Sequence, residues 1–176
     1  MTLQNAPGPV TAAESVLVRR AGPEDAGTVR TLLLELAAHE QNVDAVRSSV
    51  SDWRRLLADA AVVVLLAELD GRPVGYVSGV RQLNLWLGGD LLAMDDLYVR
   101  ADHRDRGVGG RLMAVLADHA RGDQLVITWG VDQDNVAGQR FYRRLGATLR
   151  TKTVASWLPR DYESHLAVAV PEGEKG

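Results

Sequence analysis

No cysteine occurs among the 176 residues. Disulfides, cysteine nucleophiles and thiolate metal sites are thereby excluded. The four histidines are scattered without metal-ligand spacing, so no metal is expected. A basic excess is also missing. The 20 Lys and Arg oppose 23 Asp and Glu, a net charge of −3. A nucleic-acid partner would favour a basic domain, so none is expected. The longest apolar stretch, residues 60–67, is far too short to span a bilayer, and no membrane partner is expected. The opening MTLQNAPGPVTAAES has neither a basic n-region nor a long apolar core, which argues against a signal peptide and for a soluble, cytoplasmic protein. There is no internal repeat and no block of like charge.

What is present is the composition of an ordinary globular domain, 46% hydrophobic and 24% charged. The length suits one domain with its own core. Pro7, Gly8 and Pro9 among small polar neighbours mark residues 1–14 as a disordered segment, and PEGEKG at 171–176 as a polar tail. A single domain over 15–170 is expected between them.

Hydrophobic spacing sets the elements. Residues 16–20 read as a short strand. Glu24 opens a helix behind Pro23, with Val29, Leu32, Leu33 and Leu36 on one face. A second helix is expected over 44–59, with Val46, Val50, Trp53 and Leu57 aligned. Residues 61–69 and 74–80 read as strands of a hairpin around Asp70-Gly71-Arg72-Pro73. A loop over 82–90 and a third strand over 91–99 follow. After a glycine stretch come a helix to about Arg121, a strand over 125–131, a helix over 135–145 closed by Gly146, and a strand over 148–157. Residues 159–170 fit helix and strand equally. The order is β-α-α-β-β-β-α-β-α-β, an α/β arrangement on a mixed sheet.

The stretch DHRDRGVGGRLM, residues 102–113, places Gly107, Gly109 and Gly110 where a helix must begin. Glycine there costs about 1 kcal/mol per residue relative to alanine. A helix start leaves N–H groups unpaired and partially positive, and a backbone without Cβ atoms lets an anion approach. Strand, glycine loop and helix together form an anion site whose usual occupant is phosphate. Arg104, Arg106 and Arg111 would add charge-assisted bonds. Two familiar phosphate patterns are missed. Arg111-Leu112 stands where a Walker loop has Lys-Ser/Thr, and Leu112 where a dinucleotide loop has its third glycine.

Arg104-Asp105-Arg106-Gly107-Val108-Gly109 instead matches Arg-x-x-Gly-x-Gly, and resembles the acyl-CoA pyrophosphate loop of the GNAT superfamily of N-acetyltransferases. MDDLYVRADHRDRGVGG looks like that family's fourth strand running into its loop. WGVDQDNVAGQRFYRRLGA, residues 129–147, resembles its next block, with Asn135, Phe141-Tyr142 and Leu145-Gly146-Ala147 in register. The resemblance covers about 16–157. It implies a mixed, mostly antiparallel central sheet flanked by helices, and acetyl-CoA as co-substrate without a metal. Backbone N–H groups from Arg106 through Gly107, Val108 and Gly109 to Gly110 would cradle the pyrophosphate. The backbone of Leu97, Tyr98 and Val99 would pair with the pantetheine arm. Asn135 would bond near its thioester end, and Tyr142 would protonate the leaving thiolate. Ala137, Phe141 and Leu145, at spacing four, are expected to form the buried face of that helix, with Tyr142 about 100° away.

Acetylation also needs a base, because an amine is protonated at neutral pH. Asp95 and Asp96, adjacent on a strand, are expected to point to opposite faces and so not to form a dyad. MDDLYV looks most like the polyamine and small-amine members of the superfamily, with Asp95 where they carry Glu. The shorter arm favours proton relay through water, and Asp96 would attract a cationic substrate. His39 and Glu40, at the end of the first helix, and Trp86, in the glycine-flanked loop, are candidate acceptor contacts. Trp157 fits either the acceptor cleft or the core, and His103 is a further candidate for contact with CoA. The implied activity is transfer of an acetyl group to a primary amine of a small cationic substrate by direct attack in a ternary complex. A protein N-terminal or lysine acetyltransferase and a non-catalytic acyl-CoA-binding module are the alternatives. Family analogy adds a homodimer.

Overall fold

The computed structural model describes residues 16–169, so the expected disordered segment and polar tail lie outside the described residues. Among the described residues the chain divides into two compact units, 16–130 and 131–169.

The first unit is a five-stranded sheet in the order β1-β2-β3-β4-β5. β1 (Leu17–Arg20), β2 (Val62–Leu69), β3 (Arg72–Asn84) and β4 (Gly89–Val99) pair antiparallel. β5 (Ile127–Thr128) adds to β4 in parallel. Two helices, α1 (Ala26–His39) and α2 (Val50–Leu57), cover one face. Val29, Leu32, Leu36, Trp53 and Leu57 pack there against Val64, Leu66, Tyr76 and Tyr98. The alternate strand residues Val63, Leu65 and Val77 are buried too. Helix α3 (Val108–Arg121) lies against β1–β4. Burial on both faces explains why β2 reads as an unbroken apolar run rather than an alternating one.

Several expectations need correction. The helix foreseen over 44–59 starts only at Val50. Ser49 Oγ accepts the Asp52 N–H (3.1 Å) and Asp52 accepts the Ser49 N–H (2.9 Å), a reciprocal cap that fixes the start. Residues 43–45 form a separate turn of 3-10 helix, so Val46 leaves the helical face. The loop foreseen over 82–90 shrinks to residues 85–88, because β3 runs on to Asn84 and β4 begins at Gly89. The strand over 125–131 is reduced to two residues. In the second unit, α4 (Val136–Arg144) is present, and the ambiguous segment is a helix, α5 (Pro159–Ala169). The strand foreseen over 148–157 is not formed. Its Thr and Val residues favour β structure, but propensity needs a partner strand, and none pairs with it among the described residues.

Two arginines fasten the first unit. Arg100 forks onto Glu35 of α1 (2.8 and 2.7 Å) and donates to the Pro73 carbonyl (2.8 Å), joining α1, β3 and the end of β4. Arg19 forks onto the buried Asp25 (2.7 and 2.8 Å) and reaches Glu68 (3.0 Å). Asp25 also accepts the Gly22 N–H at 2.9 Å. The Arg19 guanidinium holds the Asp25 carboxyl below the ordinary carboxylate range. Its stabilisation is therefore complete above that range and is lost as pH falls through the lowered value. Asp25→Asn should cost about 2 kcal/mol in urea unfolding at pH 7, the scale of hydrogen bonds to charged groups. The gap from wild type should close in strong acid. A variant as stable as wild type at pH 7 would show the fork to be dispensable.

Candidate active site

The site is built on β4, and on one irregularity in it. Val77 pairs with Leu97, but Gly79 pairs with Met94. Two residues, Asp95 and Asp96, thus stand opposite the single Ser78, which is a β-bulge. A Cβ on Gly79 would meet the Ala93 carbonyl at 2.8 Å, so glycine is required where the strands crowd beside the bulge. The bulge corrects the expectation that the two carboxylates point apart. Ala93 pairs with Val80, and Tyr98 with Tyr76, positions on one face of β3. Counting two residues on from Ala93 reaches Asp95. Counting two back from Tyr98 reaches Asp96. Both come to the face that α1 covers.

Their surroundings differ. Asp96 Oδ2 accepts the Tyr76 hydroxyl (3.1 Å) and the Ser78 hydroxyl (3.3 Å), while the Asp96 N–H also reaches Ser78 Oγ at 3.3 Å. Asp96 is thus a fixed anion. The Asp95 carboxylate has no hydrogen-bond or ion-pair partner among the described residues. Asp95 keeps open surface, yet displaced water raises its carboxyl above the ordinary range, and the Asp96 charge adds to this. A raised value makes Asp95 a stronger base than an ordinary carboxylate.

Asp96 lines a cleft of about 380 Å³ between the end of α1, residues 42–48 and β4. Leu33, Leu36, Ala37 and Val46 form apolar wall, and Glu40, Arg47 and Asp96 bring charge. The volume lies near the lower end of small-molecule pockets, roughly 300–1,000 Å³.

Past Ala93 the outer edge of β4 is open. β5 pairs only with Leu92 and Ala93, and no other strand among the described residues takes that edge. The open edge, which includes Leu97–Val99, leads to the glycine loop. Gly107 caps α3 in a left-handed conformation (φ 80), and Asp105 is left-handed as well (φ 59). Such turns curl successive N–H groups toward an anion. Arg111 N–H is the first to reach back into the helix, to Gly107 O at 2.9 Å. The N–H groups of Val108, Gly109 and Gly110 are thus the open donors of the helix start. A Cβ on Gly110 would meet nothing within 4 Å, so internal packing does not demand a glycine there. Arg104, Arg106 and Arg111 are exposed around this end. Arg104 Nε is held by the Val99 carbonyl at 2.9 Å, which aims the rest of its guanidinium from the strand end.

In the second unit, Asn135 caps α4, its Oδ1 accepting the Gly138 N–H at 2.8 Å. Its amide NH₂ is left to donate other bonds. The expected buried face of α4 is wrong. Ala137 and Leu145 are exposed, Phe141 is half-buried, and Tyr142 is the buried residue. Half-buried Gly138 and Gln139, one turn earlier, define its face. Burial raises the Tyr142 hydroxyl above the ordinary tyrosine range. Trp157 is 62% exposed and stacks edge-on with Tyr162 and His165, so it belongs to no core.

Of the acceptor candidates, Glu40 lines the cleft and His39 does not. Trp86, at the β3–β4 turn, is 98% exposed and lies off the cleft. His103 is half-buried with Nδ1 unpartnered, in a second cleft of about 510 Å³ shared with Arg72, Arg100 and Arg106. Sequence reasoning missed Tyr76 and Ser78, which hold Asp96. The lone serine within the apolar run VGYVSGV was the available signal. It also missed Arg47, for which the sequence carries no signal.

Helices on both faces of a mostly antiparallel sheet, with a glycine-headed helix following its fourth strand, are the frame of an N-acyltransferase. The chain belongs to the acetyltransferase (GNAT) family, whose model matches residues 29–147. Thialysine N-epsilon-acetyltransferase of Bos taurus is 28% identical over 151 residues, 75% of this chain and 84% of that protein. An uncharacterised N-acetyltransferase of Mycobacterium bovis is 35% identical over 106 residues, 59% of this chain and 64% of that one. The solved structure of an aminoglycoside acetyltransferase from an uncultured soil metagenomic sample matches with a TM-score of 0.70 at 21% identity, covering 82% of this chain and 98% of that chain. An aminoglycoside N-acetyltransferase in complex with CoA matches with a TM-score of 0.70 at 15% identity, covering 86% and 99%. At these identities the two structures establish a shared fold.

Proposed function

We propose that the protein transfers the acetyl group of acetyl-CoA to a primary amine of a small cationic acceptor, by direct attack in a ternary complex. The bulge in β4 carries the reading: it turns Asp95 and Asp96 to one face, beside a cleft of small-molecule size. Acetyl-CoA is the co-substrate that fits the open strand edge and the glycine-headed helix. The N–H groups at 108–110, with Arg104, Arg106 and Arg111, hold its pyrophosphate. The backbone of Leu97–Val99 pairs with the pantetheine arm. Asp96, fixed by two hydroxyls, draws the ammonium group in. Asp95 takes the ammonium proton, directly or through one water, and the free amine attacks the thioester carbonyl. As the carbon–sulfur bond breaks, Tyr142 gives its proton to the thiolate, and the attacking nitrogen sheds its second proton, which through solvent restores the Tyr142 hydroxyl. Asn135 donates near the thioester. The roles of Tyr142 and Asn135 rest on their motif. The thialysine N-epsilon-acetyltransferase relative supports a small amine as acceptor.

Release of CoA thiol with an amine panel tests this. Basic amines should exceed neutral-tailed amines in kcat/KM, and their lead should shrink with added salt as charge attraction is screened. Stabilisation by acetyl-CoA without thiol release from any amine would make the protein a binding module instead. Asp95→Asn gives a sharper view of the base. Wild-type kcat/KM should fall on the acid side through a pKa above the ordinary carboxylate range. The Asn variant should lose that limb, fall about 10-fold near neutral pH, and recover as pH approaches the amine's own pKa. This is below the usual ~10²–10⁴-fold, since the short arm works through water. An unchanged acid limb in the variant would remove Asp95 from the mechanism.

A further inference from the structure

Three carboxylates crowd one buried hydroxyl. Tyr76 is fully buried, and its hydroxyl donates to Asp96 Oδ2 at 3.1 Å, while Glu40 and Asp95 act on it through space. No ion pair among the described residues takes up any of the three charges. Like charges so close disfavour one another, so the first proton to arrive must settle on one of them. Two hydroxyls bias that choice. Asp96 Oδ2 accepts the Tyr76 bond and also the Ser78 hydroxyl at 3.3 Å. Ser78 Oγ in turn accepts the Asp96 N–H at 3.3 Å, so its single proton is committed to Oδ2. Ser78 is buried and stands alone opposite the bulge. Burial, and next the Asp96 charge, push the Tyr76 hydroxyl above the ordinary tyrosine range, so it keeps the proton it donates. Asp95 receives no such bond. Asp96 Oδ1 accepts nothing among the described residues, and Asp96 lines the cleft.

A donor to a carboxylate favours its charged form, and two donors on one oxygen fix the plane of the group. We infer that Tyr76 and Ser78 are positioning residues that divide the work between the two carboxylates. They keep the charge on Asp96, leave its Oδ1 for the acceptor's ammonium, and so direct the proton taken from that ammonium to Asp95. Both side chains are buried and act through Asp96. The step moves one proton from nitrogen to an Asp95 oxygen, directly or through one water, and Asp96 stays an anion throughout. The other groups packed around Tyr76 do not supply this. Tyr98, its ring centre 6.4 Å away, has Glu35, Arg104 and Arg100 as charged neighbours instead. Leu32, Leu36, Trp53 and Leu57 of the helices bring only apolar surface. Glu40, following the end of α1, adds negative charge, and Arg47 lies in the connection beyond it. This inference rests on the acetyl-transfer reading above.

Carboxyl-carbon NMR on protein labelled at aspartate Cγ shows where the first proton goes and needs no substrate. Asp95→Asn and Asp96→Asn assign the two signals. In wild type the Asp95 signal should move first as pH falls, while Asp96 stays ionised. In Tyr76→Phe, which keeps the ring, both signals should move in that first step, because the pair then shares the proton. The step should rise by about one pH unit, the scale of one hydrogen bond to a charged group. Ser78→Ala should do the same and carries the test if Tyr76→Phe does not fold. With an amine that supports CoA release, the acid limb of kcat/KM should rise with that step in Tyr76→Phe. KM for the amine should increase about 10-fold, with KM for acetyl-CoA unchanged. In an Asp96→Asn background, Tyr76→Phe should move neither, whereas a packing role would weaken both backgrounds alike and move no limb. An Asp96 signal that moves with or before that of Asp95 in wild type overturns the inference, as does an unaltered order in both hydroxyl variants. Absence of CoA release with every amine removes the acetyl-transfer reading, and is told apart from failure here because the carboxyl signals are read without substrate.

Discussion

Gly110→Glu is expected to give a protein that is more stable than wild type and no longer binds acetyl-CoA. The two effects have one cause. A Cβ at Gly110 meets nothing within 4 Å, so the substitution is accommodated. Glycine within a helix costs about 1 kcal/mol, which glutamate largely recovers. A carboxylate in the first turn adds about 0.3–1 kcal/mol through the helix dipole. The unfolding midpoint should therefore rise. The same carboxylate occupies the space and the donors at the head of α3, and repels a pyrophosphate there. Affinity for acetyl-CoA should fall at least ~100-fold, beyond reach of routine calorimetry, consistent with losing several charge-assisted bonds at once. Gly110→Ala should show the same separation in milder form. A folded Gly110→Glu protein with wild-type affinity would remove the phosphate site from α3.

Tyr142→Phe is expected to lower kcat on the order of 10²-fold and to leave KM for acetyl-CoA nearly unchanged. The burial of Tyr142 raises the stakes of this substitution, because a buried aromatic is also what plain packing would produce. Phenylalanine keeps the ring and removes only the hydroxyl, so packing is preserved and the chemistry is not. General acid assistance is typically worth ~10²–10⁴-fold. A thiol of pKa near a free cysteine's, roughly 8.5, leaves readily, which places the expected loss at the lower end. The loss should appear in kcat, since the bond to sulfur forms only as the thiolate departs. Because burial raises the hydroxyl above its ordinary range, Tyr142 stays protonated and should produce no alkaline limb in kcat near pH 10. Wild-type kcat in the variant, where chemistry limits turnover, would make Tyr142 a packing residue.

Much of this architecture was legible because local signals agreed with tertiary ones. The apolar run of β2, the Asp70-Gly71 turn and the α3 stripe of Leu112, Met113 and Leu116 each specify their element with no help from distant residues. Legibility ended where partners decide. The segment over 148–157 has strand composition and no strand beside it. Val46 fits a helical stripe, but the Ser49–Asp52 cap begins the helix later and leaves Val46 in the cleft wall. At the site, the glycine loop and the two carboxylates were visible as motifs. Their geometry was not, because a bulge is a property of two strands in register, and the sequence of β4 alone reads as simple alternation. The face of α4 was misread for a similar reason: a stripe at spacing four names a face, but burial depends on what lies against it.

The Arg100 fork onto Glu35 has a consequence for how such a chain can change. Glu35 lies on α1 between Leu33 and Leu36, both in the cleft wall, and Arg100 stands at the head of the glycine loop. Apart from Asp96, the wall of the cleft proposed for the amine is written in residues 33–48, and the residues proposed to hold the acyl donor in the first unit are written in 97–111. The fork anchors the first to the second upstream of the connection over 41–48. Insertions or exchanges in that connection can remodel the choice of amine while donor capture stays as inherited, so new acceptors are reachable by small edits to one stretch of chain.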